Sequence, residues 1–381
     1  MKGTLLFNSL VRNLSNLPGW RTKHKIVIFE SDDWGSIRTS NINAVDRLSA
    51  KGIDFKSMDA LRYSYNDSLA SAEDLSALFE VLLSVKDCNN HPAVFTAVSL
   101  VANPDFARIR ENDFRHYYYE PFTETLKRYP GCEGSFELWK QGIRAGIFIP
   151  QFHGREHLNI TAWMNALSKG HNETMEVFKE GMWGYVNSFY NGRKINYQEA
   201  FNIHDPLEIP FLEDVIADGL NLFEKLFGYR ARLFVAPNGP FPNVLEKSMS
   251  LNGITYINQA KIQYEPIGYG KTRKVFHYLG MKNKWGQIYL TRNCFFEPGS
   301  HAKTDWVGSC INEIKTAFRW NKPAIISSHR VNYIGSLNIN NRQKSLKQLK
   351  ELLVRIKNRW PEVEFMSSDK LGSLILDRNH S

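Results

Sequence analysis

The residues best suited to chemistry in this chain are two pairs that end apolar runs. Asp32 and Asp33 close KIVIFESDDWGS, and His153 and His157 close IFIPQFHGREHLN. Two imidazoles and one carboxylate form a facial ligand set that leaves positions on a divalent metal open to water. The second carboxylate is then free to act as a base. Together the four point to a metal-dependent hydrolase.

Some framework must carry the pairs to a common place. Strand-length apolar runs occur at 25–30, 93–101, 147–152, 232–236, 254–258, 287–291, 324–328 and 363–366. Helical spacing covers 71–86, opened by a Ser71–Asp74 cap, then 159–169, 173–189, 212–227, 306–320, 343–360 and 367–376. Alternating units of this kind build a parallel sheet with helices outside. The expected fold is α/β, a distorted (β/α)7–8 barrel. It reads as a single catalytic domain over 1–381, with its core at about 22–378. An aromatic-rich insertion at about 103–146, carrying HYYYEPF and FELWK, is expected to border the cleft. Barrel chemistry gathers at the carboxyl ends of strands. Asp32–Asp33, His153, Asn238 in VAPNGPF and His329 in SSHR all fall there. No GxGxxG or GxxxxGK[ST] follows a strand, which removes dinucleotide and P-loop binding.

Composition narrows the class. The 43% hydrophobic share, with 13% aromatic residues, supports a sizeable core and excludes wholesale disorder. The net charge of +9 suits an anionic surface or ligand but is spread along the chain. The locally basic stretch 342–359 also places Leu346, Leu349, Leu352, Leu353 and Ile356 at helical spacing, so it reads as an amphipathic helix. No nucleic-acid partner is expected. Cys88, Cys132, Cys294 and Cys310 form no CxxC pair and read as reduced structural thiols. The opening MKGTLLFNSLVRNL reads as a short surface helix, and no run reaches the ~18 apolar residues of a membrane span. A cytoplasmic protein is expected, with peripheral membrane contact left open.

The ordered set SDDWG, HGREH, VAPNGPF, TDW and SSHR resembles the motifs of the polysaccharide deacetylases, carbohydrate esterase family 4, within the glycoside hydrolase/deacetylase superfamily. The resemblance runs from about Lys25 to His329 and marks a divergent member. It implies a distorted (β/α) barrel, a divalent metal (Zn²⁺, or another in its place) and hydrolysis of N- or O-acetyl groups on a saccharide. By the same resemblance Asp33, His153 and His157 are metal ligands, Asp32 the base, His329 the acid and Asp305 the residue that orients His329. Trp34, Asn238 and Trp306 are candidate substrate contacts. The family's third motif usually carries an arginine before its proline, holding the catalytic aspartate. Here Ala236 precedes Pro237, so Arg38, Arg155 and Arg330 are the candidate replacements. The Ser/Thr usual after the first histidine is Gly154.

Two other functions fit the same barrel. One is a catalytically silent carbohydrate-binding protein with a structural metal, suggested by the missing arginine. The other is a glycoside hydrolase pairing Asp32 or Asp33 with Glu208 or Asp305.

Overall fold

The computed structural model describes residues 11–53, 55, 58–185, 188–190, 193–300 and 303–378. Most of the expected N-terminal helix lies outside these residues, and its described part, 11–15, is helical. The main sheet contains β1 (Ile26–Trp34), β2 (Phe95–Leu100), β3 (Phe148–Gly154), β4 (Leu233–Val235), β5 (Tyr256–Asn258), β6 (Ile288–Leu290), β7 (Cys294–Phe295), β8 (Ala324–His329) and β9 (Glu364–Phe365). Its order is β6-β5-β4-β3-β2-β1-β8-β7, with β9 added beside the start of β1. Every pairing in it is parallel. The sheet curls into a half-barrel surrounded by helices. Its edge strands β6 and β7 are joined by Thr291, Arg292 and Asn293 alone. So short a crossing holds the two edges within ~14 Å.

Alternation along β1 explains the layering. Ile26 and Ile28 join Val98, Leu233, Leu290 and Ile325 on the concave face, where Leu371 and Ile375 of the last helix also pack. Val27 and Phe29 face the helices, against Phe95, Phe148 and Ile326. Each fully buried aliphatic or aromatic side chain contributes roughly 1.5–3 kcal/mol. Continuing the alternation, Glu30 and Asp32 follow Ile26 and Ile28 onto the concave face.

That alternation is broken where it matters. The β1–β2 register shifts between Ser31 and Trp34, and Asp33 has φ 76. A bulge re-aims a side chain, so two successive carboxylates line the same cavity. Gly35 then turns the chain with φ +85, where an added Cβ would stand 2.3 Å from the carbonyl oxygen of Leu100. Gly35→Ala is expected to destabilise the protein by about 1–3 kcal/mol or more. A denaturant midpoint equal to that of the unmodified chain would show that the turn relaxes.

Several expected elements differ in extent. The helix expected over 173–189 stops at Lys179, because Gly181 takes φ +68 and the chain turns into a hairpin of Ser188–Tyr190 and Arg193–Ile195. The antiparallel hairpin Ile262–Gly268/Lys271–Phe276 and the helices Ile42–Ala50 and Met58–Asn66 were not anticipated. The Ser71–Asp74 capping box is present at helix Ala72–Leu83. Among the described residues no helix is long and apolar enough to cross a membrane.

Candidate active site

The carboxyl ends of the strands enclose a cavity of about 550 Å³ lined by Asp32, Asp33, His153, His157, Asn238 and His329, among others. Asp33 comes from the β1 bulge, His153 from the end of β3, and His157 from the loop beyond it. Gly154 lies between the histidines with φ +134, and an added Cβ would crowd Phe201 and the Glu156 carbonyl at 3.3 Å. The positive φ and this crowding account for a glycine at the position.

Asp33, His153 and His157 are buried, and one ligand atom from each lies within 4.8 Å of the others. Asp33 Oδ1 is 3.5 Å from His153 Nε2 and 3.2 Å from His157 Nε2. His153 Nδ1–H donates to the Val235 carbonyl oxygen at 2.7 Å, which leaves the Nε2 lone pair toward Asp33. Burial holds His157 below the ordinary imidazole value against the pull of Asp33, so it is neutral at pH 7, as a ligand must be. Its ring stacks on Trp183 at 5.8 Å. Nδ1 of His157 is buried without a hydrogen-bond partner. Two imidazoles and a carboxylate converging on one point fit a divalent metal.

Asp32 is held differently. Arg292 donates from its two Nη atoms to both carboxylate oxygens at 2.6 Å, and from Nε to Glu30 at 2.5 Å. Asp32 and Glu30 sit two residues apart on the concave face, a spacing that a guanidinium fork spans. Glu30 is itself fixed by Asn258 and by the Ser368 hydroxyl, each at 2.6 Å. Burial alone would raise Asp32, but the charge and hydrogen bonds of Arg292 outweigh it and hold the carboxyl below its ordinary value. Arg292 thus does what was sought from Arg38, Arg155 or Arg330. Arg330 is bonded to Asp67, Arg38 lies over Tyr63, and Arg155 pairs with Glu156 and Asp218.

His329, aligned with Asp32 across the β1–β8 register, places Nε2 3.8 Å from the Asp32 carboxylate. Its Nδ1 meets Glu297 at 2.6 Å. Burial would lower this imidazole, but Glu297 and then Asp33 and Asp32 raise it to about 9. Glu297 is pushed down to about 2, its burial outweighed by His329 and Arg62. Asp305, expected beside His329, instead caps the helix Trp306–Arg319 by accepting from Gly308 N at 2.8 Å. A TDW segment before a helix is an ordinary capping sequence, which explains the misassignment.

Of the three expected substrate contacts, Asn238 alone lines the cavity. Trp34 is buried in the outer core, edge-on to Phe148 and bonded to Ser31. Trp306 packs against the same core from the helix it begins. The segment 103–146 supports the loop that carries His157. Tyr117 donates to Glu156, Tyr119 donates to Asp218, and Arg155 lies over the Tyr119 ring at 4.1 Å. HYYYEPF therefore braces the HGREH segment, and no residue of 103–146 is among those lining the cavity. Arg292 and Glu297 had one available signal: each lies just past a strand, in YLTRN and CFFEPG.

No protein-family model matches the chain, and no curated protein matches it by sequence. The chain is similar to a probable polysaccharide deacetylase from Pseudomonas aeruginosa PAO1, at 11% identity and TM-score 0.45, covering 94% of this chain and 93% of that one. Puue allantoinase is similar at 13% identity and TM-score 0.43, covering 93% of each chain. A CE4 family pseudoenzyme from Bacillus anthracis aligns at 11% identity and TM-score 0.35, covering 92% of this chain and 66% of that one.

Proposed function

We propose that this chain is a zinc-dependent deacetylase that hydrolyses N- or O-acetyl groups of a saccharide or polysaccharide precursor. The observation that carries the reading is the meeting, in one cavity, of the Asp33–His153–His157 cluster, an aspartate clamped by Arg292 and a histidine paired with Glu297. When bound, the metal polarises the acyl oxygen and lowers the pKa of water toward neutrality. Asp32, kept ionised by Arg292, accepts the proton of the attacking water. His329, with Nδ1 committed to Glu297, delivers a proton from Nε2 to the departing nitrogen or oxygen. Asn238 lines the cavity with an amide whose donor and acceptor suit sugar hydroxyls. Phe295, also lining it and half-exposed, offers an apolar face to a sugar ring. A nucleotide- or lipid-linked intermediate in the cytoplasm is the setting proposed with this reading.

The alternatives lose their particular support. Glu208 spends its carboxylate on the backbone of His204 and Asp205, and Asp305 caps a helix, so neither supplies the second acid of a glycosidase here. The missing arginine, the argument for a silent protein, has a counterpart in Arg292. Acetate release from a panel of acetylated saccharides, with reducing-end formation measured in parallel, tests the proposal. Reducing ends without acetate would overturn it.

The Glu297–His329 pair carries its own prediction. The folded value of about 9 lies above the ordinary 6.5, so the bound proton stabilises the fold fully below 6.5, and that stability is lost as pH rises through about 9. Activity that needs protonated His329 should fall over the same upper range. Glu297→Gln removes the largest raising charge, so the basic limb of the pH–rate profile should move to lower pH. The rate at pH 8.5 should drop on the order of tenfold relative to the unmodified enzyme. An unmoved limb would assign that titration to another group.

A further inference from the structure

One part of the cavity has a charge that deacetylation does not use. Away from the metal cluster it is lined by Arg12, Ser15, Asn16, Lys261, Asn293 and Glu313. Four of these, Ser15, Asn16, Lys261 and Asn293, also bound a smaller adjoining space that reaches Lys322 and none of the proposed catalytic residues. The Lys261 ammonium donates to the Ser15 carbonyl oxygen at 2.9 Å and to its hydroxyl at 3.2 Å, both neutral acceptors. An ammonium has three donors, so one remains. The acid at this end, Glu313, is already engaged by Arg12 at 2.8 Å and by the Phe295 backbone N–H at 2.8 Å. Lys322, fixed by the backbone carbonyls of Pro18, Gly19 and Trp20, adds a second positive charge. Burial lowers Lys261, and the acid at this end is committed to Arg12 and the Phe295 backbone N–H. A half-buried cation whose hydrogen-bond acceptors are neutral is costly, and an anionic ligand group reduces that cost.

We infer that Lys261, with Ser15 beside it, forms a subsite for an anionic group, carboxylate or phosphoryl, carried by the saccharide away from its acetyl group. The inference refines the deacetylase reading by making the substrate an acidic or phosphorylated sugar. Neutral acetyl-sugars would occupy the catalytic end alone.

The test uses inorganic phosphate and glucuronate as probes, with calorimetric affinities for the full chain, Lys261→Met and Lys261→Arg. At least one probe should bind the unmodified chain, more weakly as salt rises. A hydrogen bond to a charged group is strong enough that Lys261→Met should weaken binding by roughly tenfold or more. Lys261→Arg should retain it. The tighter probe identifies the anion as phosphoryl or carboxylate. Circular dichroism checks the fold of each variant, and Lys261→Gln replaces the methionine variant if that fails to fold. Absence of binding by both probes, or equal binding by the charge-free variant, overturns the inference. Neither probe carries an acetyl group. A chain that binds them through Lys261 but releases no acetate from any saccharide keeps the subsite and loses the reaction.

Discussion

Arg292→Met is expected to lower deacetylation by ~10²–10⁴-fold, the range set by losing a positioned base. The arginine touches no residue of the metal cluster, so metal content should be nearly unchanged. Its removal takes from the two buried carboxylates, Glu30 and Asp32, the guanidinium that bridges them, and leaves the His329 imidazole 3.8 Å from Asp32. One of them then takes a proton, and Asp32 no longer accepts one readily. Breaking a buried ion pair by deleting one partner costs about 3–5 kcal/mol, which denaturant unfolding would register. The sign in pH also follows. Asp32 lies below its ordinary 3.8 in the folded protein, so its stabilising contribution is present above 3.8 and is lost as pH falls through the folded value. In the variant the acid limb of the pH–rate profile should move to higher pH. Arg292→Lys should restore little, because a point charge cannot span both carboxylates. A wild-type profile in Arg292→Met would show that Asp32 is held by something else.

The second large effect separates chemistry from metal binding. Asp32→Asn and His329→Ala should each reduce turnover by ~10²–10⁴-fold while metal content stays near that of the unmodified chain. Asp33→Ala should lose both, since its carboxylate lies between the two imidazoles. Rates and metal occupancy measured on all three variants with one substrate decide the matter. Near-normal activity in Asp32→Asn would move the base to another carboxylate.

The sheet was legible because its strands are buried on both faces and read as continuous apolar runs between turn residues. All eight expected strands exist, with ends displaced by up to a few residues, since the point where pairing stops depends on the neighbouring strand. The β7 edge, two residues long, carries too little pattern to be seen. The metal cluster was legible for a local reason: its members stand next to apolar runs, at strand ends. Arg292 and Glu297 were missed because their partners Asp32, Glu30 and His329 are more than 30 residues away in sequence or on the opposite flank of the sheet. Only the closing of the sheet's two edges across 291–293 brings Arg292 over β1. Trp34 shows the converse error. Adjacency to two site aspartates suggested a substrate contact, yet the bulge at Asp33 breaks the strand period and turns it into the outer core with Trp139 and Phe148.

The central claim is that metal held at Asp33, His153 and His157 is required for acetate release in this cavity. Acetate release from an acetylated saccharide should therefore be followed before chelation, after it, and during zinc add-back, with metal content read on the same samples. The account predicts release that stops when the metal is removed and returns as about one zinc per chain is restored. Release that persists in metal-free protein would contradict it.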